Sequence, residues 1–237
     1  MKPTWVIFKK EFVGYFNSAI AYLFLVIFLL VTSGFYFLLR FLDDYAHVGD
    51  FLGMLPLWFI VLVPALTMRL WAEERKIGTD ELLLTLPMKS RHLVLGKFLA
   101  SSGLVAVALA CTLTVPVTIG WLGNLDLGPV IGGYVGALLL GASYVAMGLF
   151  LSSLTTNQIL AFILTLVGCI GLYAVGLLAM LDVVPDAWIP IVDYLSIENH
   201  FHSVSLGQAD SRDFVYFLSL IAFFLYANIT VLEARKW

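Results

Sequence analysis

The sequence is poor in charge. Asp, Glu, Lys and Arg make up only 12% of its 237 residues, against 61% hydrophobic residues, and the mean hydropathy is +0.98. An ordinary globular chain is about 25% charged, and a soluble domain does not need so much apolar surface. The shortage of charge therefore excludes a soluble enzyme or a soluble binding domain and predicts an integral membrane protein with no separate soluble domain.

The chain also lacks the residues of several common kinds of site. It has two cysteines, Cys111 and Cys169, both inside apolar runs, so we expect neither a disulfide nor a thiolate metal site. Gly96 and Lys97 resemble the end of a phosphate-binding loop, but Arg91 replaces its first glycine and Phe98 its Ser or Thr. The chain is therefore not expected to bind and hydrolyse ATP by that route, and no cofactor is predicted.

Catalytic and metal-ligating clusters are weakly represented. His200 and His202 stand close to Glu198, but a metal site needs further ligands, so we interpret the histidines as interfacial or packing residues. Ser203, His200 and Asp193 have no spacing typical of a hydrolase. We therefore predict a protein without catalytic residues or a metal centre, and with no nucleic-acid partner.

What the sequence does contain is long apolar runs. A transmembrane helix needs about 20 mostly apolar residues, and six segments meet this requirement. We predict an all-α polytopic protein whose spans cover residues 19–39, 51–68, 98–121, 130–151, 159–181 and 214–232. No span carries an acidic or basic residue near its centre, which argues against a stand-alone channel or an ion-coupled carrier.

Charge predicts the orientation of these spans. Of the 13 Lys and Arg residues, only Arg40 and Arg212 fall on one side of the six-span arrangement. Because basic residues concentrate in the cytoplasm, we predict that both termini and the loop between the second and third spans are cytoplasmic.

The segments outside and within the spans carry further signals. The first 17 residues place aromatic side chains on one side of a helix, which predicts an N-terminal helix in the membrane interface. The external loop 182–213 is long and rich in apolar residues, which predicts one or two short helices. The fourth span has small residues four apart, such as Gly132 and Gly136, which we interpret as close helix packing within the chain.

The densest cluster of charge lies between the second and third spans, at residues 68–89. Four consecutive charged residues are followed by Gly78, which disfavours continued helix, and by Thr79, which can cap a new helix. The pattern predicts a helix that ends, a tight corner and a second short helix. The four charged residues are Glu73, Glu74, Arg75 and Lys76.

The second short helix is predicted at residues 80–86. Acidic residues occupy its first turn, where the helix dipole favours negative charge, and the proline at its end disfavours helix at the preceding residue. Leucines give it an exposed apolar side, which is typical of a site that binds a partner in the water. The candidate docking residues are Glu73, Glu74, Gly78, Thr79, Asp80, Glu81, Leu82, Leu83, Leu86 and Pro87.

Residues 68–97 resemble the membrane subunits of ABC-2 type ABC transporters. The resemblance is carried by Glu73-Glu74-Arg75-Lys76-x-Gly78-Thr79-x-Glu81-Leu82-Leu83, by Pro87 and by Leu95-Gly96-Lys97. It extends to the six-span layout, the N-terminal helix and Ser153-Leu154-Thr155 after the fourth span. The short chain, its ending and the segment beginning Arg69-Leu-Trp look most like the gliding-motility-type permease subgroup.

The resemblance implies a permease subunit that performs no chemistry. Two copies, or one copy and a homologous permease, would form the pathway in the bacterial cytoplasmic (inner) membrane and bind cytoplasmic ABC ATPase subunits. Residues 80–86 would match the coupling helix that sits in a groove of the ATPase. The loop 152–158 carries no charge, which departs from a pattern with a second docking contact.

The sequence leaves more than one function open. The resemblance favours an exporter, and subgroup members often assemble with an accessory membrane protein that has a large extracytoplasmic domain. The complex could drive such a partner and move no cargo. A stand-alone channel, a secondary carrier or a membrane-embedded enzyme would also be an apolar chain, but the sequence has neither polar sites within its spans nor clustered catalytic groups.

Overall fold

The computed structural model describes residues 3–39, 47–79, 88–123, 125–180, 185, 188–208 and 210–234. These residues form helices and short connections, and no strand occurs among them. The predicted docking helix at 80–86 lies outside the described residues, and so do six of the candidate docking residues. These are Asp80, Glu81, Leu82, Leu83, Leu86 and Pro87.

The described helices follow one another along the chain with short connections. They are α1 (Pro3–Asn17), α2 (Ala19–Leu29), α3 (Phe35–Leu39), α4 (Val48–Thr67), α5 (Ala72–Ile77), α6 (Ser90–Cys111), α7 (Thr114–Leu122), α8 (Leu127–Ser152), α9 (Gln158–Met180), α10 (Ile189–Leu195), α11 (Ile197–Ser205) and α12 (Ser211–Ala234). A π-helical turn, Leu30–Gly34, connects α2 to α3 and was not predicted.

Six helical segments of the described chain are long and apolar enough to cross a membrane, which confirms the predicted number. They are Ala19–Leu39, Val48–Ile77, Ser90–Leu122, Leu127–Ser152, Gln158–Leu177 and Ser211–Ala234. The third begins eight residues earlier than the predicted span. Lys97, which was assigned to the loop before it, therefore lies inside α6.

Helix α8 is the central element. It contacts α4, α6, α9, α11 and α12. In its most apolar stretch of 18 residues, 72% of the residues are buried. Its glycines allow this crowding, because a Cβ at Gly148 would collide with Thr67 Oγ1 and one at Gly132 would collide with Val204 O. The small residues of the fourth span thus serve packing within the chain, as predicted.

The second span continues as a helix through both of its prolines. Pro56 and Pro64 both lie inside α4, and the helix stops only at Thr67. The backbone N–H groups of Trp71 and Ala72 donate to Ser152 Oγ, each at 3.2 Å, and that hydroxyl donates to Met68 O at 3.0 Å. A side chain inserted into the backbone ladder breaks a helix, so a residue of the fourth span causes the turn between α4 and α5.

Helix α1 confirms the predicted N-terminal helix and packs along α6. A Cβ at Gly96 would lie 2.5 Å from the Ile7 side chain, so α1 approaches α6 closely at this glycine. Tyr15 OH and Ser101 Oγ form a buried hydrogen bond of 2.9 Å. Burial raises the pKa of the Tyr15 phenol above its ordinary value, so this residue remains a neutral part of the α1–α6 contact.

The far end of the bundle contains the two short helices predicted for the external loop, α10 and α11. Ser196 caps α11 by accepting from Asn199 N at 3.2 Å. Ile197, Phe201 and Val204 form its buried side. The prediction of helical structure in this loop is therefore confirmed for its described residues.

Candidate functional site at the α4–α5 corner

Helix α5 has a charge pattern suited to its dipole. Glu73 and Glu74 lie in its first turn, and Arg75 and Lys76 in its last. The helix ends at Gly78, whose φ of 78° lies in the left-handed region. Glycine adopts this conformation without a Cβ penalty. The predicted end of a helix at Gly78 is thus confirmed.

Thr79 closes the end of α5. Its hydroxyl donates to Glu74 O at 3.2 Å, and the same carbonyl accepts from the backbone N–H of Gly78. The predicted N-cap of the next helix by Thr79 concerns residues outside the described part of the chain, and it stays a prediction.

Two side chains connect the corner to the end of α8. Ser152 is fully buried and accepts from the two amides described above. Arg75 Nη1 donates to the carbonyls of Ser153 and Thr155, the latter at 3.4 Å. The loop after α8 carries no charge of its own, and the Arg75 guanidinium of α5 binds its carbonyls. These hydrogen bonds hold the α4–α5 corner against the loop between α8 and α9.

A buried lysine connects the corner to two further helices. Lys97, on the second turn of α6, is only 2% exposed. Its Nζ donates to Glu74 Oε1 at 2.7 Å, to Leu70 O at 3.0 Å and to Glu11 Oε1 at 3.4 Å. The same atom lies 4.9 Å from the centroid of the Trp71 ring.

This arrangement satisfies the requirements of a buried cation. Removing an ammonium from water is costly unless its charge is paired and its protons find acceptors. Glu74 and Glu11 supply the charge, and Leu70 supplies a carbonyl that the interrupted helix leaves free. Lys97 thus joins α1, the turn after α4, α5 and α6 at one atom.

The candidate docking residues within the described chain play different parts. Glu74 pairs with Lys97 at 2.7 Å. Glu73 pairs with Arg69 at 3.6 Å, and both side chains are partly exposed, so this pair contributes little to stability. The structure thus places Glu74 inside the corner and Glu73 at its surface.

Three residues of the corner were not among the candidates. Lys97 and Glu11 are far apart in sequence, and Ser152 lies in a different span. Lys97 had a weak signal, since it stands beside Gly96 in the motif that carried the resemblance. Glu11 and Ser152 had none, because their roles depend on contacts between distant segments.

Of the two histidines of the external loop, His200 is buried and packed, whereas His202 is exposed. His200 is bonded to Asp213 and to Tyr194 O, at 2.6 and 2.9 Å. Across the residues that the structure describes, no group of three or more His, Cys, Asp or Glu is arranged to hold a metal ion. Ser203 donates to Gln208 O at 3.3 Å, and the two ring nitrogens of His200 are bonded to Asp213 and Tyr194 O instead.

Comparison with known proteins bears on the family. No curated protein matches the sequence. A family model described as ABC-2 family transporter protein matches residues 52–236. The match covers α5, the Lys97 position and the last five spans, whereas α1 lies outside it. Together with six membrane-competent helices, this match to most of the sequence shows that the chain belongs to the ABC-2 transporter family.

Proposed function

We propose that this protein is the permease subunit of an ATP-driven exporter in the bacterial cytoplasmic membrane. Two copies, or one copy and a homologous permease, form the pathway, and separate cytoplasmic ATPase subunits supply the energy. The family match, the six membrane-competent helices and the lack of a phosphate-binding loop in the sequence support this division of labour.

The orientation follows from the distribution of charge. The α5 corner, the start of α6 and the N-terminal helix carry most of the basic residues, and such residues favour the cytoplasm. The corner would then face the compartment in which the ATPase binds ATP. The short helices α10 and α11 would face outward, where an accessory protein with an extracytoplasmic domain would meet them.

The observation that carries the proposal is the way α5 is held. Lys97 joins it to α1 and α6, while Ser152 and Arg75 join it to the end of α8. The candidate coupling segment, residues 78–87, follows α5 directly. A displacement of that segment by the ATPase would reach the N-terminal helix α1 and the membrane helices α6 and α8 together, as a rigid-body motion requires.

Docking is tested by one substitution in the apolar side of the coupling segment. Burying a leucine contributes about 1.5–3 kcal/mol, so Leu83→Asp should remove the ATPase from the purified complex and abolish transport-linked ATP hydrolysis. Native mass measurement of the wild-type complex should give two permease and two ATPase chains, with the Leu83→Asp permease recovered alone.

Leu84→Asp is the matched control. On the predicted helix, position 84 lies away from the side formed by Leu82, Leu83 and Leu86, so this variant should keep its ATPase. Both variants should remain monodisperse in detergent. Retention of the ATPase and of full activity by Leu83→Asp would show that residues 78–87 are not the coupling segment.

A further inference from the structure

Helix α1 has one side that faces away from the bundle. Ile7 and Tyr15, on the other side, are buried toward α6. Glu11, the one acidic residue of α1, binds Lys97. The outward side is exposed and carries two lysines, three apolar side chains and no carboxylate. Its residues are Trp5, Val6, Lys9, Lys10, Val13, Gly14 and Asn17.

The two lysines of this side have donors to offer an anion. Lys9 and Lys10 are exposed, and neither forms a hydrogen bond or an ion pair with any residue that the structure describes. Lys10 also borders a polar cleft beside Lys97, but no carboxylate of that cleft lies within ion-pair distance of it. Each ammonium has three N–H groups and no acceptor, so the pair presents a concentrated positive charge.

The same side exposes apolar groups beside these cations. Trp5, Val6 and Val13 are 55%, 51% and 42% exposed. Water disfavours such groups and acyl chains disfavour an ammonium, whereas the boundary between headgroups and acyl chains suits both. The chain keeps α1 at that boundary, because only Ser18 separates it from α2, which opens the first membrane-competent segment.

Contacts near both ends of α1 fix the orientation of its exposed side. Near the start, Thr4 Oγ1 and His92 Nδ1 form a hydrogen bond of 2.8 Å with the first turn of α6. Near the end, Tyr15 OH is bonded to Ser101 Oγ. The helix cannot roll without breaking these contacts, so the exposed side is a preformed surface.

A groove of about 420 Å³ runs along this surface. Gly14 leaves it open, because a Cβ there would meet no atom within 4 Å. Both lysines line the groove, and no acidic residue does so among the described residues, so a bound group meets two uncompensated cations. The lining residues are Val6, Lys9, Lys10, Val13, Gly14 and Asn17.

We propose that this groove binds one anionic phospholipid from the leaflet on the corner side of the bundle. The phosphate lies between the ammonium groups of Lys9 and Lys10, and the start of an acyl chain lies against Val6 and Val13. Charge complementarity selects the headgroup. A glycerol headgroup leaves the phosphate charge uncompensated, whereas the choline of a zwitterionic lipid neutralises it.

The test uses the delipidated full-length protein in detergent, without its ATPase. Phosphatidylglycerol and phosphatidylcholine of equal chain length are added in turn, and native mass spectrometry measures the fraction of protein that retains one lipid. Each lysine near anionic lipid contributes a roughly fivefold preference, so two should favour the glycerol lipid about 30-fold. Equal retention of the two lipids overturns the proposal.

A double variant removes the cations of the groove. Lys9→Gln with Lys10→Gln should bring the retention ratio close to one and leave the fold intact, because both side chains are exposed and unpaired. The matched control is Lys89→Gln with Arg91→Gln, which removes the same charge from two exposed residues at the start of α6. The control should keep the preference for phosphatidylglycerol.

Two outcomes of this comparison would contradict the proposal. If the control loses the preference as fully as the Lys9 and Lys10 double variant, the lipid responds to overall charge and not to the groove. If the double variant keeps its lipid preference and instead loses the co-purifying ATPase, the exposed side of α1 belongs to the ATPase.

A single position tests charge complementarity without changing either lysine. Val13→Glu places a carboxylate in the groove, one turn from Lys9, where it pairs with that lysine and repels a phosphate. This variant should abolish the preference for phosphatidylglycerol, whereas Val13→Gln, nearly equal in size but neutral, should keep most of it. Both residues are better helix formers than valine, so α1 should persist and both proteins should stay monodisperse. Equal lipid preference in the two variants would show that charge does not select the lipid at this groove.

Discussion

The two ends of the bundle each bury an ion pair, and the two pairs are built differently. At the corner, Lys97 has a side chain 2% exposed and contacts the carboxylates of Glu74 and Glu11. At the far end, His200 and Asp213 lie 2.6 Å apart with side chains 8% and 7% exposed. The first pair joins segments far apart in the chain, whereas the second joins the neighbouring helices α11 and α12.

The hydrogen bonds of the His200–Asp213 pair show where its protons lie. His200 Nε2 faces Tyr194 O, which can only accept, so this nitrogen carries a proton. The 2.6 Å contact between His200 Nδ1 and Asp213 Oδ1 needs a second proton. The ring also stacks on Tyr216 at 4.1 Å.

The comparison shows two ways of placing a charge in an apolar bundle. The His200–Asp213 pair places one carboxylate against one ring on neighbouring helices. Lys97 Nζ instead has three acceptors, which are Glu74 Oε1, Glu11 Oε1 and Leu70 O. A replacement at the corner therefore affects more partners than a replacement at the far end.

The largest expected effect follows from Lys97→Met. Methionine keeps the length of the side chain but leaves Glu74, Glu11 and Leu70 O without their donor. Breaking a buried ion pair costs about 3–5 kcal/mol. The free energy of unfolding, measured by titrating mixed micelles with SDS, should fall by that amount, and the ATPase should co-purify less.

Lys89→Met is the control for this variant, because Lys89 is exposed just before α6. It should leave the free energy of unfolding within about 0.5 kcal/mol of wild type. A stable Lys97→Met protein that binds its ATPase normally would contradict the view that the lysine holds the corner.

A smaller effect is expected from His200→Phe. Phenylalanine keeps the stacking on Tyr216 but leaves Asp213 buried without its partner. Only one pair is broken here, so the loss should be close to the lower limit for a broken buried pair, about 3 kcal/mol. The same SDS titration measures it.

A double variant sharpens the comparison between the two ends. His200→Phe with Asp213→Leu replaces both partners by apolar groups and should recover a large part of the lost stability. Lys97→Met with Glu74→Gln should recover less, because Glu11 and Leu70 O remain. Equal recovery at both ends would mean that the corner is no more connected than the far pair.

Much of the fold could be predicted from the sequence because the signals are local. An apolar run long enough for the bilayer predicts a span wherever it occurs. Aromatic residues on one face predicted α1, apolar residues in the external loop predicted α10 and α11, and Gly78 predicted the end of α5. Each of these predictions depends on residues within one or two helical turns.

The corner's connections could not be predicted, because they depend on distant segments. Lys97 is 86 residues from Glu11 in the chain, and Ser152 is 81 residues from Trp71. A lysine at the start of an apolar run reads as one whose ammonium reaches back to the water. Only the folded structure shows that the Lys97 ammonium is enclosed by two carboxylates, Glu11 from α1 and Glu74 from α5.

The smallest effect is expected at the neutral connection of the corner, Ser152. Ser152→Ala removes the acceptor of the Trp71 and Ala72 amides and the donor to Met68 O, but it leaves no uncompensated charge. Loss of a comparable helix cap costs about 1 kcal/mol, and the turn can relax toward a continuous helix. SDS titration should show this modest loss, whereas Ser205→Ala, whose hydroxyl donates only to His202 O near the surface, should show almost none. The ATPase should still co-purify, because Lys97 continues to hold α5. If Ser152→Ala instead matched Lys97→Met in both measurements, the inserted hydroxyl, and not the buried charge, would be the main connection between the corner and the spans.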